Sequence, residues 1–168
     1  MQPWFAFYTV TGGASAALLG LLFVAVSMNA AVMLGDGHEG SRRLAEQAFG
    51  NYLVVLMVSV LALFPQITLT EFSSTALSLT VVSAGWMLVR LYLTLTRPAD
   101  LKTRLFALRR HLAALVGFGM LFASALAMIL RHEDHRSWFA AALMVLLFSA
   151  TEVSWELLMR VAKLKPAA

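Results

Sequence analysis

Three ionisable side chains, Arg90, Glu152 and Glu156, stand inside stretches of sequence that are otherwise almost wholly apolar. A charge at the centre of a bilayer costs about 2.5–3.5 kcal/mol on insertion scales, so each must be paired, protonated or turned to water. Ser149, Glu152 and Glu156 follow the helical spacing i, i+3, i+7 and share one stripe, and Ser83, Met87, Arg90 and Thr94 form a comparable one. Asn29 and Asn51 bring amides to the same region. Carboxylates, a guanidinium, amides and a hydroxyl at overlapping depths can neutralise one another or hand on an ion or proton. Glu156 has a second partner in Arg160, four residues on and in the favourable order for a helical pair. Arg90 can also snorkel along its own stem to the headgroups. Glu152 is the deepest and the hardest to explain by anchoring, and it is expected to pair with Arg90, carry a proton or face water.

A second cluster, Arg131-His132-Glu133-Asp134-His135, sets His132 and His135 at i, i+3 with two carboxylates between them. It is only a weak metal candidate, because a tight site gathers roughly three or four convergent ligands with supporting hydrogen bonds. A short charged hairpin between apolar stretches needs no metal, so neither a metal nor any other cofactor is expected. No HExxH helix occurs, no pair of aspartates lies within the apolar stretches, and His111 reads as interfacial. Enzymatic activity is therefore not expected.

The elements that must position these groups follow from composition. The chain has 168 residues, of which 60% are hydrophobic and 13% charged, against about 25% charged in an average soluble domain. It has no cysteine, which excludes a disulfide scaffold. Five stretches reach the roughly 20 residues that a helix needs to cross a bilayer: Ala6 to Leu34, Phe49 to Leu69, Ala76 to Thr96, Leu112 to Leu130 and Trp138 to Met159. Runs such as Leu53 to Val58 show none of the alternation of a membrane barrel. No lysine or arginine precedes Arg42, and the first stretch is too long for a secretory signal. The expected fold is all-α, a single transmembrane domain of five helices.

Basic residues give that bundle a direction, since lysines and arginines near span ends stay cytoplasmic. With five spans, ten of them fall on the side of the first and third loops and the C-terminus, and only Arg131 and Arg136 on the other. The N-terminus is then expected outside and the C-terminus inside. Trp4, Tyr8 and Trp138 fall at outer ends, and Tyr52, Tyr92 and Trp155 near inner ends, where interfacial aromatics belong. At 1.5 Å per residue, Glu156, Arg90 and Glu152 lie about 5, 9 and 11 Å from the inner ends of their spans. The third loop places Leu101, Leu105 and Leu108 at helical spacing among basic residues, the pattern of a short helix resting on anionic lipid at the inner face. Positive-inside anchoring accounts for the same charges without nucleic acid.

In the first stretch Gly12, Ala16 and Gly20 recur every four residues beside Gly13 and Ala17. Small residues at that spacing let helices approach closely, either within one chain or between subunits. Pro65-Gln66 is expected to kink the far third of the second span. The segment Gly20-Leu21-Leu22-Phe23-Val24-Ala25-Val26-Ser27-Met28-Asn29, entered through Trp4-Phe5, resembles the G-L-x-F-V-x-x-S-x-N first helix of a family of small bacterial polytopic membrane proteins. Members carry the automated label "modulator of FtsH protease". The resemblance extends loosely to about Pro65 and implies a bacterial inner-membrane location, with no ligand or catalytic position to carry over. Two functions are expected of such a chain. One is an oligomeric channel or transporter for ions or small solutes, built on the inner-half polar cluster. The other is an accessory or regulatory subunit that docks on a larger membrane complex through the small-residue face of the first helix.

Overall fold

The structure is a computed structural model and describes residues 4–30, 33, 39–96, 101–131 and 136–164, the side chains at 94, 95, 101–107, 109, 110, 131 and 164 excepted. Among these residues are five helices, α1 (Phe5–Met28), α2 (Glu39–Ala62), α3 (Leu69–Thr96), α4 (Leu101–Arg131) and α5 (Arg136–Leu164). Each is long and apolar enough to cross a membrane.

Helices α2 to α5 form a bundle in which α2 lies beside α5, α5 beside α4, and α4 beside α3, with a lighter α3–α2 contact closing the circuit. Helix α1 packs outside this circuit along α2 and touches α5. Two apolar clusters fill the interior. Tyr8, Val55, Val58, Phe118, Leu121 and Leu146 belong to one, towards the end where α1, α3 and α5 begin; Leu22, Leu44, Val153 and Leu157 belong to the other. The outward surface is apolar as well, with Val10, Phe23, Val82, Trp86, Leu130 and Phe148 all exposed.

Three expectations are corrected here. The second span does not kink at Pro65-Gln66; α2 ends at Ala62 and the chain reverses. The N–H groups of Leu63 and Phe64 close short turns onto the carbonyls of Val60 and Leu61 at 3.1 and 3.2 Å, and Pro65 offers no N–H to carry the helix on. Gln66 turns the chain at φ 62°, and a capping box then starts α3. The Glu71 N–H donates to Thr68 Oγ1 at 3.2 Å, while the Thr68 N–H donates to the Glu71 carboxylate at 3.0 Å. Helix α2 also begins at Glu39, ten residues before the apolar run itself, because the intervening Ser41–Ala48 segment is helix-forming and buries Leu44, Ala45 and Ala48. The segment from Leu101 is not a separate surface helix either, since α4 runs unbroken from Leu101 to Arg131.

Tyr8 and Tyr52, expected at the lipid boundary, are 2% and 1% exposed and point into the bundle. One close approach had no counterpart among the sequence expectations. A methyl group added at Gly117 of α4 would lie 2.7 Å from Leu146 Cγ and 3.4 Å from the Leu146 backbone nitrogen of α5. The absence of a side chain at that position lets the two helices meet.

Candidate polar site

Towards the end where α1, α3 and α5 finish, polar side chains from all five described helices occupy the bundle interior or its rim. Helix α2 presents Gln47 and Asn51 one turn apart, both buried, and α4 opens its apolar length with His111, 5% exposed. Asn51 Nδ2 donates to the buried Ser149 Oγ of α5 at 3.5 Å. One residue along, the Tyr52 hydroxyl lies 3.3 Å from Thr151 Oγ1 and 3.4 Å from Ser154 Oγ. The Tyr52 carbonyl accepts from Ser15 Oγ of α1 at 2.7 Å. A seam of hydrogen bonds thus joins α1, α2 and α5. Where little hydrophobic contrast exists between helix and surroundings, such bonds and close packing determine which helices meet.

Ion pairs lie at the rim. Arg90 Nη2 of α3 meets Glu46 Oε2 of α2 at 3.0 Å, and the other oxygen of that carboxylate takes Arg42 Nε at 3.1 Å. The guanidinium of Arg90 also sits 5.1 Å from the Trp86 ring centroid, within range of a cation–π contact. This bridge spans the lighter α2–α3 contact. Glu156 holds Arg160 Nη2 at 2.6 Å, and Arg160 in turn lies against Gly40 at the start of α2.

Of the residues named from sequence, Asn51 and Ser149 are brought together, and Glu156 takes Arg160. Arg90 takes Glu46 rather than Glu152. Asn29 stands apart at the end of α1, where its Nδ2 donates to the Ala25 carbonyl of its own helix at 2.8 Å. Glu152 is exposed on α5, with no hydrogen bond or ion pair among the described residues. The reason is angular. At about 100° per residue, Glu152 is rotated roughly 130° from the buried line of Leu146, Ala150, Val153 and Leu157, which α5 turns inward. Phe148 and Trp155, also exposed, flank it on the same face.

Sequence reasoning missed Glu46 and Gln47, and it read His111 as interfacial where the structure buries it. The first two stood outside the apolar run, and their signal was the helical continuity of Ser41–Ala48 with the span that begins at Phe49. His111 has no such signal, and it stands inside α4, which runs through it without a break. His132 and His135 lie outside the described residues.

The small-residue stripe of α1 divides in the same angular way. Gly12 is buried against α2, where an added Cβ would meet Ser59 Cβ at 3.0 Å. Gly13 and Gly20 have open space around them, and Ala16 is exposed beside them. Steps of four residues drift by about 40° each in a helix of 3.6 residues per turn, so Gly12 and Gly20 end up on different faces.

What the arrangement can do is bounded by what lies beyond it. Past Asn51 and Ser149 the interior is filled by fully buried Val55, Val58, Leu121 and Leu146. The hydroxyls of Ser73, Thr80 and Ser124 there are turned onto carbonyls of their own helices. Within one chain the polar groups act as a lock between helices and lead into apolar packing.

The length and apolarity of its five helices put the chain in the class of multi-pass membrane proteins. Comparison with known protein families, with curated proteins and with solved structures finds no match.

Proposed function

We propose that this chain is a non-catalytic subunit of a larger assembly in a bacterial cytoplasmic membrane, and that it meets its partner through the exposed face of α5 bearing Glu152. In this reading the N-terminus is outside and the C-terminus inside, the orientation that the ten-to-two division of basic residues favours. Trp138 and Trp155, both exposed on α5, are then separated by about 26 Å along the axis at 1.5 Å per residue, close to the thickness of a hydrocarbon core. Glu152 lies one turn inside Trp155. The observation that carries the reading is this carboxylate, facing outward between Phe148 and Trp155 with no partner among the described residues. Lipid leaves it costly, and a donor on a neighbouring protein relieves that cost. The open Gly13, Ala16 and Gly20 on α1 give a second surface suited to close helix contact.

Native electrophoresis of gently solubilised membranes tests this. The unaltered protein should migrate in a complex, and Glu152→Ala should release it while yield and helix content hold. A protein that is monomeric in native lipid, or a complex indifferent to both Glu152→Ala and Gly20→Leu, defeats the reading.

A second reading rests on Thr151 and Glu152, adjacent and both exposed. Copies arranged around that edge of α5 would line a path between subunits for ions or small solutes. Liposome flux that is present in the unaltered protein and changed by Glu152→Gln would favour it, and the absence of flux under every ion gradient would remove it.

A further inference from the structure

At the opposite end of the bundle, a cavity of about 370 Å³ opens between the first turns of α1, the α2–α3 turn and the start of α5. Five rings line it: Trp4, Phe5, Tyr8, Phe64 and Phe72. They differ in depth. Tyr8 and Phe72 are buried and form the floor, while Phe5 and Phe64 are exposed and stand at the mouth. The floor is held from behind. Phe7 packs edge-on to Trp4 at 6.3 Å and to Tyr8 at 5.4 Å, and the Tyr8 hydroxyl donates to the Arg136 carbonyl at 3.4 Å. Phe139, itself fully buried, backs Phe72 with ring centroids 5.0 Å apart. Pro65 and Gln66 form the turn at the rim, and Gln66 keeps a left-handed backbone at φ 62°, strain of the kind that gathers at ligand clamps.

The lining does not suit a charged occupant. Among the described residues no carboxylate lines the cavity, and the first turn of α1 holds no acid, so a cation would lack a counter-charge. The atom of Arg136 fixed at the wall is its carbonyl oxygen, which accepts from Tyr8, so a carboxylate would lose its hydration there unrepaid. For an uncharged occupant the rings decide the shape. A flexible alkyl chain must freeze its torsions to enter a fixed cavity, whereas a flat ring system has none to lose. Rings already set in place also offer it edge-on and offset contacts that aliphatic atoms do not make. A cavity of roughly 150 Å³ holds one benzene ring, so this one has room for a second, fused ring and a small substituent.

We propose that this cavity binds an uncharged planar aromatic molecule of about two fused rings, seated on Tyr8 and Phe72 and flanked by Phe5 and Phe64. The site lies apart from the outward face of α5 and stands or falls without it.

The test uses the full chain reconstituted in phosphatidylcholine liposomes, with Trp86→Phe, Trp138→Phe and Trp155→Phe leaving Trp4 as the reporter and 2-bromonaphthalene as a neutral quencher. Quenching of Trp4 should saturate. In a variant that retains Trp155 alone, at the far end, quenching should rise only in proportion to the quencher dissolved in lipid. At equal concentration in the lipid, naphthalene should displace the quencher about fivefold more tightly than decalin, its saturated counterpart, and decane should be weaker still. 2-Naphthoate and tetramethylammonium should each be at least about tenfold weaker than naphthalene. Ala62→Leu, which fills the cavity, should remove saturation, and Phe64→Leu at the exposed rim should narrow the gap between naphthalene and decalin. Quenching of Trp4 that never saturates, equal displacement by naphthalene, decalin and decane, or tighter displacement by either ion overturns the proposal. So does saturable quenching that persists unaltered in folded Ala62→Leu and Phe64→Leu variants.

Discussion

Reversing the charge of Arg90 separates the two pairings open to it. In the structure its guanidinium lies 3.0 Å from Glu46, with side chains 29% and 37% exposed. Two unit charges about 4 Å apart attract by roughly 4 kcal/mol at an effective dielectric of 20. Water at the rim and the cost of ordering two long side chains reduce the exposed case to about 0.2–1 kcal/mol. Glu46 also serves Arg42 at 3.1 Å, which further dilutes the pair, so the coupling should come to about 1 kcal/mol in a double-mutant cycle. Loss of the contact with Trp86 adds about 0.5–1 kcal/mol to any Arg90 single variant and cancels within the cycle. Arg90→Glu alone should therefore cost about 2 kcal/mol or more, since it also sets like charges together. Adding Glu46→Arg should restore part of the loss, incompletely because the introduced arginine would then face Arg42 one turn away. Adding Glu152→Arg should restore nothing. The assay is reversible unfolding in mixed micelles as the fraction of denaturing detergent rises, followed by circular dichroism. Additive losses for Arg90→Glu with Glu46→Arg, together with rescue by Glu152→Arg, would refute the reasoning and return Arg90 to the carboxylate on α5.

Gly117→Ala should lower stability by about 1–2 kcal/mol, the overpacking cost against Leu146 outweighing a helix-propensity gain of up to about 1 kcal/mol. Gly119→Ala, with nothing within 4 Å of the new methyl, should be neutral or stabilising in the same unfolding assay, and equal effects at the two sites would count against the α4–α5 contact. Gly12→Leu should destabilise the monomer by about 1–3 kcal/mol through Ser59, whereas Gly20→Leu should leave monomer unfolding unchanged and affect only assembly. Removing the α3 cap by Thr68→Ala should cost about 1 kcal/mol, seen as faster hydrogen exchange at the first turn of α3 with Glu71 retained.

Apolar run length revealed that the chain makes long helices, because a span requires it, but run length is blind to where helices extend into polar sequence. Helix α2 therefore gained Glu39 to Ala48, and with them Glu46, the partner Arg90 takes. The expected kink at Pro65 became a reversal because the evidence for it was spread over several residues: a proline without an N–H, a left-handed Gln66 and a capping box at Thr68 and Glu71. Gly117 carried no signal at all, since a glycine that touches Leu146 and a glycine that touches nothing look alike in one sequence.

The harder problem is rotation about each helix axis. In a soluble bundle the apolar stripe marks the inward face; here both faces are apolar, and Phe139 is fully buried while Phe148 on the same helix is exposed. Only polar residues remain as markers, and they do not agree on direction. Asn51 and Ser149 mark the interior because each satisfies the other across α2 and α5. Glu152 shares a helical stripe with Ser149 yet lies outside, since the buried line of α5 is set by close fit at Leu146, Ala150 and Val153. A stripe of polar residues is therefore wide enough to straddle the boundary between an internal lock and an outward contact. The polar set accordingly divides in two: some groups bond across helices within the chain, and the carboxylate left outside is the one that the proposed function assigns to a partner.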